Sequence, residues 1–139
     1  MARPTASIVE LFEIELPFVQ APMAGVHGSR LAIAVSNVGA LGSLPGAMLS
    51  HDALRDELQA VRAGTTNSYN VNFFVHRHPE ADPQADLRWR ATLAPYYAEL
   101  GVDPDDVPAG PARVPFDHQV ADVVEEFRPP VVSFHFGLP

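Results

Sequence analysis

Apolar and polar positions along this chain alternate between two periods, and each change of period marks an element. Residues 1–16 read as a lead-in with a short helix around Ser7–Phe12. Phe18–Ala21 is a short apolar strand that stops at Pro22, which has no backbone N–H to give to a sheet. Small residues follow, Ala24, Gly25 and Gly28. Ser29 then reads as the N-cap of a helix over Arg30–Asn37 that carries Leu31, Ala34 and Val35, with Val38 beyond and Gly39 placed to end it. Ala40–Leu44 is a second, buried strand before the Pro45-Gly46 turn. Ser50 caps the clearest helix: Asp52 lies in its first turn, Leu54, Leu58 and Val61 make one stripe, Arg62 closes it and Gly64 lies just beyond. Tyr69–Val75 is aromatic and β-branched, a third strand.

The rhythm breaks over residues 76–115, a polar, proline-bearing insertion. Leu87–Leu100 has helical spacing, with Pro95 expected to kink or divide it. Asp117 restarts the pattern as an N-cap, and Val120, Val123, Val124 and Phe127 form another stripe. Pro129-Pro130 stops that helix, and Val131–Phe136 is a fourth strand. Strands alternating with helices predict a parallel sheet with crossover helices. A (β/α)8 barrel takes about 250 residues, so four strands in 139 residues correspond to its N-terminal half. The expected organisation is one partial TIM-barrel domain over 1–139, with the C-terminal half absent and an irregular insertion at about 76–115. A complete small open sheet is the alternative; it would leave an apolar last strand as a bare edge, from which self-association is expected.

Composition narrows the chemistry. The chain is 47% hydrophobic and 19% charged, a globular balance, and its net charge of -8 argues against a nucleic-acid partner. Without cysteine there is no disulfide, thiolate metal site or cysteine nucleophile. No run is long enough to cross a bilayer and no signal-peptide core follows Met1, so no membrane partner and a cytoplasmic location are expected.

Candidate chemistry gathers at the expected C-terminal edge of the sheet, where parallel α/β folds bind ligands. The small residues Ala24, Gly25 and Gly28 after the first strand let a flat ligand approach the backbone closely. Asn72 is an amide on an otherwise apolar strand and needs a partner, from a ligand or from a neighbouring strand's loop. Ser133 and His135 share a face opposite Phe134 and Phe136, and His135 is either a proton-handling group or a hydrogen-bonded core histidine. His76 and His78 with Glu80 have the spacing of a partial metal site, but a solvated loop is the better reading and no metal is expected. His27 reads as exposed, and His51 and His118 as incidental at helix starts. Trp89, Tyr96 and Tyr97 either form a lid or anchor the insertion.

Four segments together, Val19-Gln-Ala-Pro-Met-Ala-Gly25, Ala34-Val-Ser-Asn-Val-Gly-Ala-Leu-Gly-Ser43, Tyr69-Asn-Val-Asn-Phe-Phe-Val75 and Val131-Val-Ser-Phe-His-Phe-Gly-Leu-Pro139, resemble the N-terminal half of a nitronate monooxygenase, a family formerly called 2-nitropropane dioxygenase. The resemblance covers about residues 14–75 and 116–139. It implies a TIM-barrel flavoprotein that binds FMN and oxidises alkyl nitronates with O2. It implies flavin contacts from Ala21, Pro22, Met23 and Ala24 and a flavin-bonding asparagine at Asn72. His135 then becomes a candidate catalytic base for a small nitroalkane or nitronate. The family's phosphate-binding loops and Gly-Gly-His segment lie on later strands, so the chain alone is expected to be inactive. Competing expectations are a catalytically dead half-barrel, a subunit that completes a barrel with a second chain, and a flavin-dependent enoyl reductase of the same fold. The reductases tend to carry Gly-Gly-Met in the first turn and to lack the Ser-Phe-His-Phe-Gly strand.

Overall fold

In a computed structural model that describes residues 7–77, 80, 82–106 and 115–139, three strands lie parallel in sequence order. They are β1 (Gly42–Pro45), β2 (Tyr69–Phe74) and β3 (Val131–His135). The register sets Ser43 beside Asn70, Asn72 beside Ser133, and Phe74 beside His135. Helices α1 (Ile8–Phe12), α2 (Ser29–Asn37), α3 (His51–Gly64), α4 (Pro83–Leu100) and α5 (His118–Phe127) complete the described elements. The chain divides into two compact units, Met1–His76 with Arg113–Pro139, and Arg77–Ala112.

The expected first strand shrinks to one parallel bridge, Val19 with Leu41. Leu41 N–H donates to Phe18 O at 3.0 Å and Gln20 N–H to Leu41 O at 2.9 Å. The next rung of a parallel ladder would run from Ser43 N–H to the Gln20 main-chain carbonyl. Ser43 N–H instead donates to the Gln20 side-chain Oε1 at 3.0 Å. The rung after that would need an N–H on Pro22, which has none. Pairing ends there for a chemical reason.

Alternation along the strands separates two faces. Leu44, Tyr69, Val71 and Phe73 point towards the helices and join Leu54, Leu58 and Val61 of α3 and Val120, Val123 and Phe127 of α5 in one core. Phe73, Phe116 and Phe134 stack edge-on or tilted at 5.2–6.3 Å beside it. α2 lies so close to β1 that a Cβ on Gly42 would stand 2.0 Å from the Ala32 carbonyl oxygen, so only glycine fits. Arg62 ties α3 to α5: its guanidinium donates to Phe127 O at 2.6 Å, satisfying a carbonyl at the end of α5, and lies 4.5 Å above the Phe127 ring.

Two local expectations change. Ser29 is the first residue of α2 and not its cap; Gly28 holds the N-cap and offers no side chain. The Glu57 carboxylate of α3 takes that role, with Oε2 accepting from Ser29 N–H at 2.5 Å. Pro95 does not divide α4. The helix starts at Pro83, behind an Asp82 cap, and runs unbroken to Leu100. With no buried residue in α4, the carbonyl that Pro95 leaves unpaired stays within reach of water.

Candidate active site at the C-terminal edge of the sheet

The sheet face turned away from the core carries a row of polar side chains among apolar ones. Ser43, Asn70, Asn72, Ser133 and His135 project from it, and together with Pro22 and apolar side chains that include Phe12, Val19, Leu41 and Val131 they line an open, largely apolar cavity of about 190 Å³. Enclosed ligand pockets hold roughly 300–1,000 Å³; this cavity is smaller and open. Asn70 and Asn72 are 4% and 3% exposed, buried side by side on alternate residues of β2.

The hydrogen bonds of Asn72 fix its direction. The Ser133 carbonyl can only accept, so the amide nitrogen faces it, at 3.2 Å, and also reaches Ser133 Oγ at 2.9 Å. Asn72 Oδ1 then faces His135 Nδ1 at 3.1 Å. That oxygen is an acceptor, so Nδ1 carries the proton of the neutral imidazole. Nε2 of that tautomer keeps its lone pair. Sequence spacing put Asn72 and His135 near one edge. Their direct contact comes from the β2–β3 register.

Phe136 departs from the expected alternation. β3 ends at His135, and Phe136 takes a left-handed φ of 71°. Its ring turns back to lie 5.2 Å from Phe74 and 6.1 Å from His135, so one side of the imidazole meets aromatic surface. Phe74 itself stands edge-on to His135 at 5.9 Å.

Of the expected turn residues, Pro22 lines the cavity, while Ala21, Met23 and Ala24 continue the same turn outside its lining, with Met23 42% exposed. His27 is half-buried and not exposed: its Nε2 accepts from Met23 N–H at 3.1 Å and lies 2.9 Å from Gln20 Nε2. His51 lies 3.6 Å from Asp117, the N-cap of α5. His78 lies outside the described residues, and among those described no group of three or more His, Asp or Glu could hold a metal. Trp89 and Tyr96 are exposed on α4.

Two polar residues of this face, Ser43 and Asn70, and Gln20, whose side chain bonds the Ser43 N–H, escaped the sequence reading. The spacing of Asn70 and Asn72 signalled a polar strand face; Gln20 and Ser43 gave no local signal. Asn70 is distinctive. Its Nδ2 donates to Ser43 Oγ at 3.1 Å, while Oδ1 is buried with no hydrogen-bond partner. A buried acceptor left so costs roughly 1–3 kcal/mol, and this one borders the cavity.

The nitronate monooxygenase profile matches residues 5–139. The chain belongs to the nitronate monooxygenase family. The match includes the insertion, so it is wider than the segments that first suggested it. A nitronate monooxygenase of Pseudomonas aeruginosa is 39% identical over 97% of this chain and 39% of its own length; one of Paraburkholderia phytofirmans is 37% identical over 96% and 37%. The chain thus spans well under half the length of the curated relatives it matches. The nitroalkane oxidase of Streptomyces ansochromogenes superposes with a TM-score of 0.68 at 32% identity, over 96% of this chain and 37% of that one. FabK of Thermotoga maritima superposes at 0.59 and 25% identity, over 94% and 30%. The α/β architecture, parallel strands with helices on one face, is that of part of a (β/α)8 barrel.

Proposed function

We propose that this chain carries the flavin-facing wall of an FMN-dependent nitronate monooxygenase site, with His135 Nε2 as the base that receives or holds a proton beside the substrate. The observation that carries the reading is the Asn72–His135 contact, which in the neutral imidazole puts the proton on Nδ1 and leaves the lone pair on Nε2, in a residue that lines the cavity. The residues fit one edge of a flavin. Asn70 Oδ1 is a buried acceptor in need of an N–H donor, and a planar ring carrying an imide N–H supplies one. Ala21, Pro22, Met23 and Ala24 present small or soft surface to a ring face. FMN, when bound, supplies the redox step between the nitronate and O2. Asn72 orients the imidazole, Phe74 and Phe136 set aromatic rings beside it, and Ser133 fixes Asn72.

FMN titration followed by flavin fluorescence tests this. Asn72→Ala and Met23→Ala are expected to weaken binding about tenfold, the value of one or two lost contacts, with His76→Ala near the parent. Equal affinity in all three would overturn the site assignment. The FabK likeness keeps an enoyl reductase as the second reading. Oxidation of NAD(P)H without nitronate would favour it, and absence of any flavin binding would favour a non-catalytic half-barrel or a subunit of a two-chain barrel.

A further inference from the structure

The turn at residues 21–24 is held by a clamp whose protonation state can be deduced atom by atom. Ser43 N–H only donates, so the Gln20 amide presents Oε1 to it, at 3.0 Å. Gln20 Nε2 therefore carries both amide protons. One goes to Ala21 O at 2.7 Å; the other points to His27 Nε2 at 2.9 Å. Met23 N–H donates to the same His27 nitrogen at 3.1 Å. A nitrogen facing two donors carries no proton. His27 Nδ1 faces the Gly28 carbonyl at 3.3 Å and so carries it. Every contact agrees on one neutral tautomer.

We propose that His27 is the positioning residue of this turn, an imidazole that closes it only while Nε2 is unprotonated, so that acid releases the turn and weakens cofactor binding. The link to the cofactor rests on the reading above that places the turn against FMN; the clamp does not. A proton at Nε2 would confront both the Gln20 and the Met23 N–H groups and break both contacts. Two features face the imidazole from neighbouring elements. Glu57 of α3 lines the same hollow beside Gly28, but its Oε2 is engaged by Ser29 N–H. The N-terminus of α2, starting at Ser29, sets partial positive charge close by and opposes an imidazolium. Glu57 is the only other titratable side chain among the described residues lining that hollow.

Long-range 1H–15N NMR of the labelled chain reads the tautomer directly: Nδ1 protonated and Nε2 not, with the Met23 amide protected from exchange at neutral pH and exposed on acidification. His27→Gln offers a carbonyl oxygen at about the reach of Nε2 and cannot be protonated in this range. It is expected to keep Met23 protection at every pH and FMN affinity within about threefold of the parent, whereas His27→Leu loses the protection and about tenfold in affinity, the loss of one or two neutral hydrogen bonds. An Nε2–H tautomer, equal behaviour of the two variants, or acid release persisting in His27→Gln would overturn the clamp. A tautomer and exchange pattern as expected, with FMN affinity unchanged in both variants, would leave the clamp standing and overturn its link to the cofactor.

Discussion

Shortening Glu57 to alanine is expected to lower the melting temperature by about 5–7 °C. α2 begins with glycine at its N-cap and has no local side chain for its first N–H groups. The acceptor comes instead from Glu57, far along the chain, through Ser29 N–H. Loss of a cap costs typically ~1 kcal/mol, and loss of a carboxylate at the positive end of a helix roughly 0.3–1 kcal/mol more. A total of about 1.3–2 kcal/mol, set against an unfolding entropy of roughly 2.1 cal/mol/K per residue, gives a shift of about that size for a chain of this length. Glu57→Gln keeps an acceptor without the charge and should show about half the loss. Circular dichroism melts at one protein concentration measure all three. Geometry adds a sharper test. A Cβ on Gly28 would meet the Glu57 carboxylate at 2.9 Å. Gly28→Asp should therefore destabilise the parent yet restore stability to Glu57→Ala, by supplying a local cap in the vacated space. Additive effects of those two substitutions, or a Glu57→Ala melt within a degree of the parent, would refute the capping argument.

Other outcomes follow from single features. Gly42→Ala drives a methyl into the Ala32 carbonyl and should cost about 3 kcal/mol or more, at the upper end for overpacking, with a chemical-denaturation midpoint to match. The Ser7 backbone N–H and then its hydroxyl hold the Glu10 carboxyl below its usual range. Its folded value is depressed, so its contribution to α1 is present above the unfolded value and is lost as pH falls through the folded one; NMR titration of Glu10 should move up in Ser7→Ala. β3 has a partner on one side only in the described sheet, and Phe18, Phe136 and Leu138 are exposed, so light scattering should give a mass that rises with concentration; a constant monomer mass would contradict this. With excess FMN and a propyl nitronate, the 139-residue chain should consume no more O2 than FMN alone, because a single wall does not hold reacting atoms within the ~1 Å that separates productive from hundredfold slower geometry. Turnover above that control which disappears in His135→Ala would refute it.

The stripes of α3 and α5 were the most legible part of the chain; that of α2 was not, because Leu31, Ala34 and Val38 are exposed and Ala32 and Ser36 are buried in their place. Leu54, Leu58 and Val61, and Val120, Val123 and Phe127, are buried as their spacing requires, because an amphipathic helix encodes its own buried face. The Ser50 and Asp117 caps were equally readable, since each cap and its target N–H lie three residues apart. What pattern could not reveal was anything joined across sequence. The cap on α2 comes from Glu57, the last rung of the first strand from a side chain, and the direction of His135 Nδ1 from a contact with Asn72 across β2 and β3. Asn72 and His135 stood out as polar residues on apolar strands. Ser43 and Asn70 sit on the same wall and bond each other, and Gln20 bonds the Ser43 N–H; apart from the spacing of Asn70 from Asn72, nothing local marks partners so far apart in sequence.

Gln20 has a consequence for how such a wall changes over generations. Main-chain rungs are common property: any residue but proline can form one, so most mutations leave them intact. The rung that holds the ligand-edge turn to β1 belongs to one side chain and is written in one codon. The same amide also reaches Ala21 and His27, so a single base change can shift the turn while the Val19–Leu41 bridge beneath it stays in place. The grip on the turn is thereby open to inheritance and selection separately from the sheet that supports it.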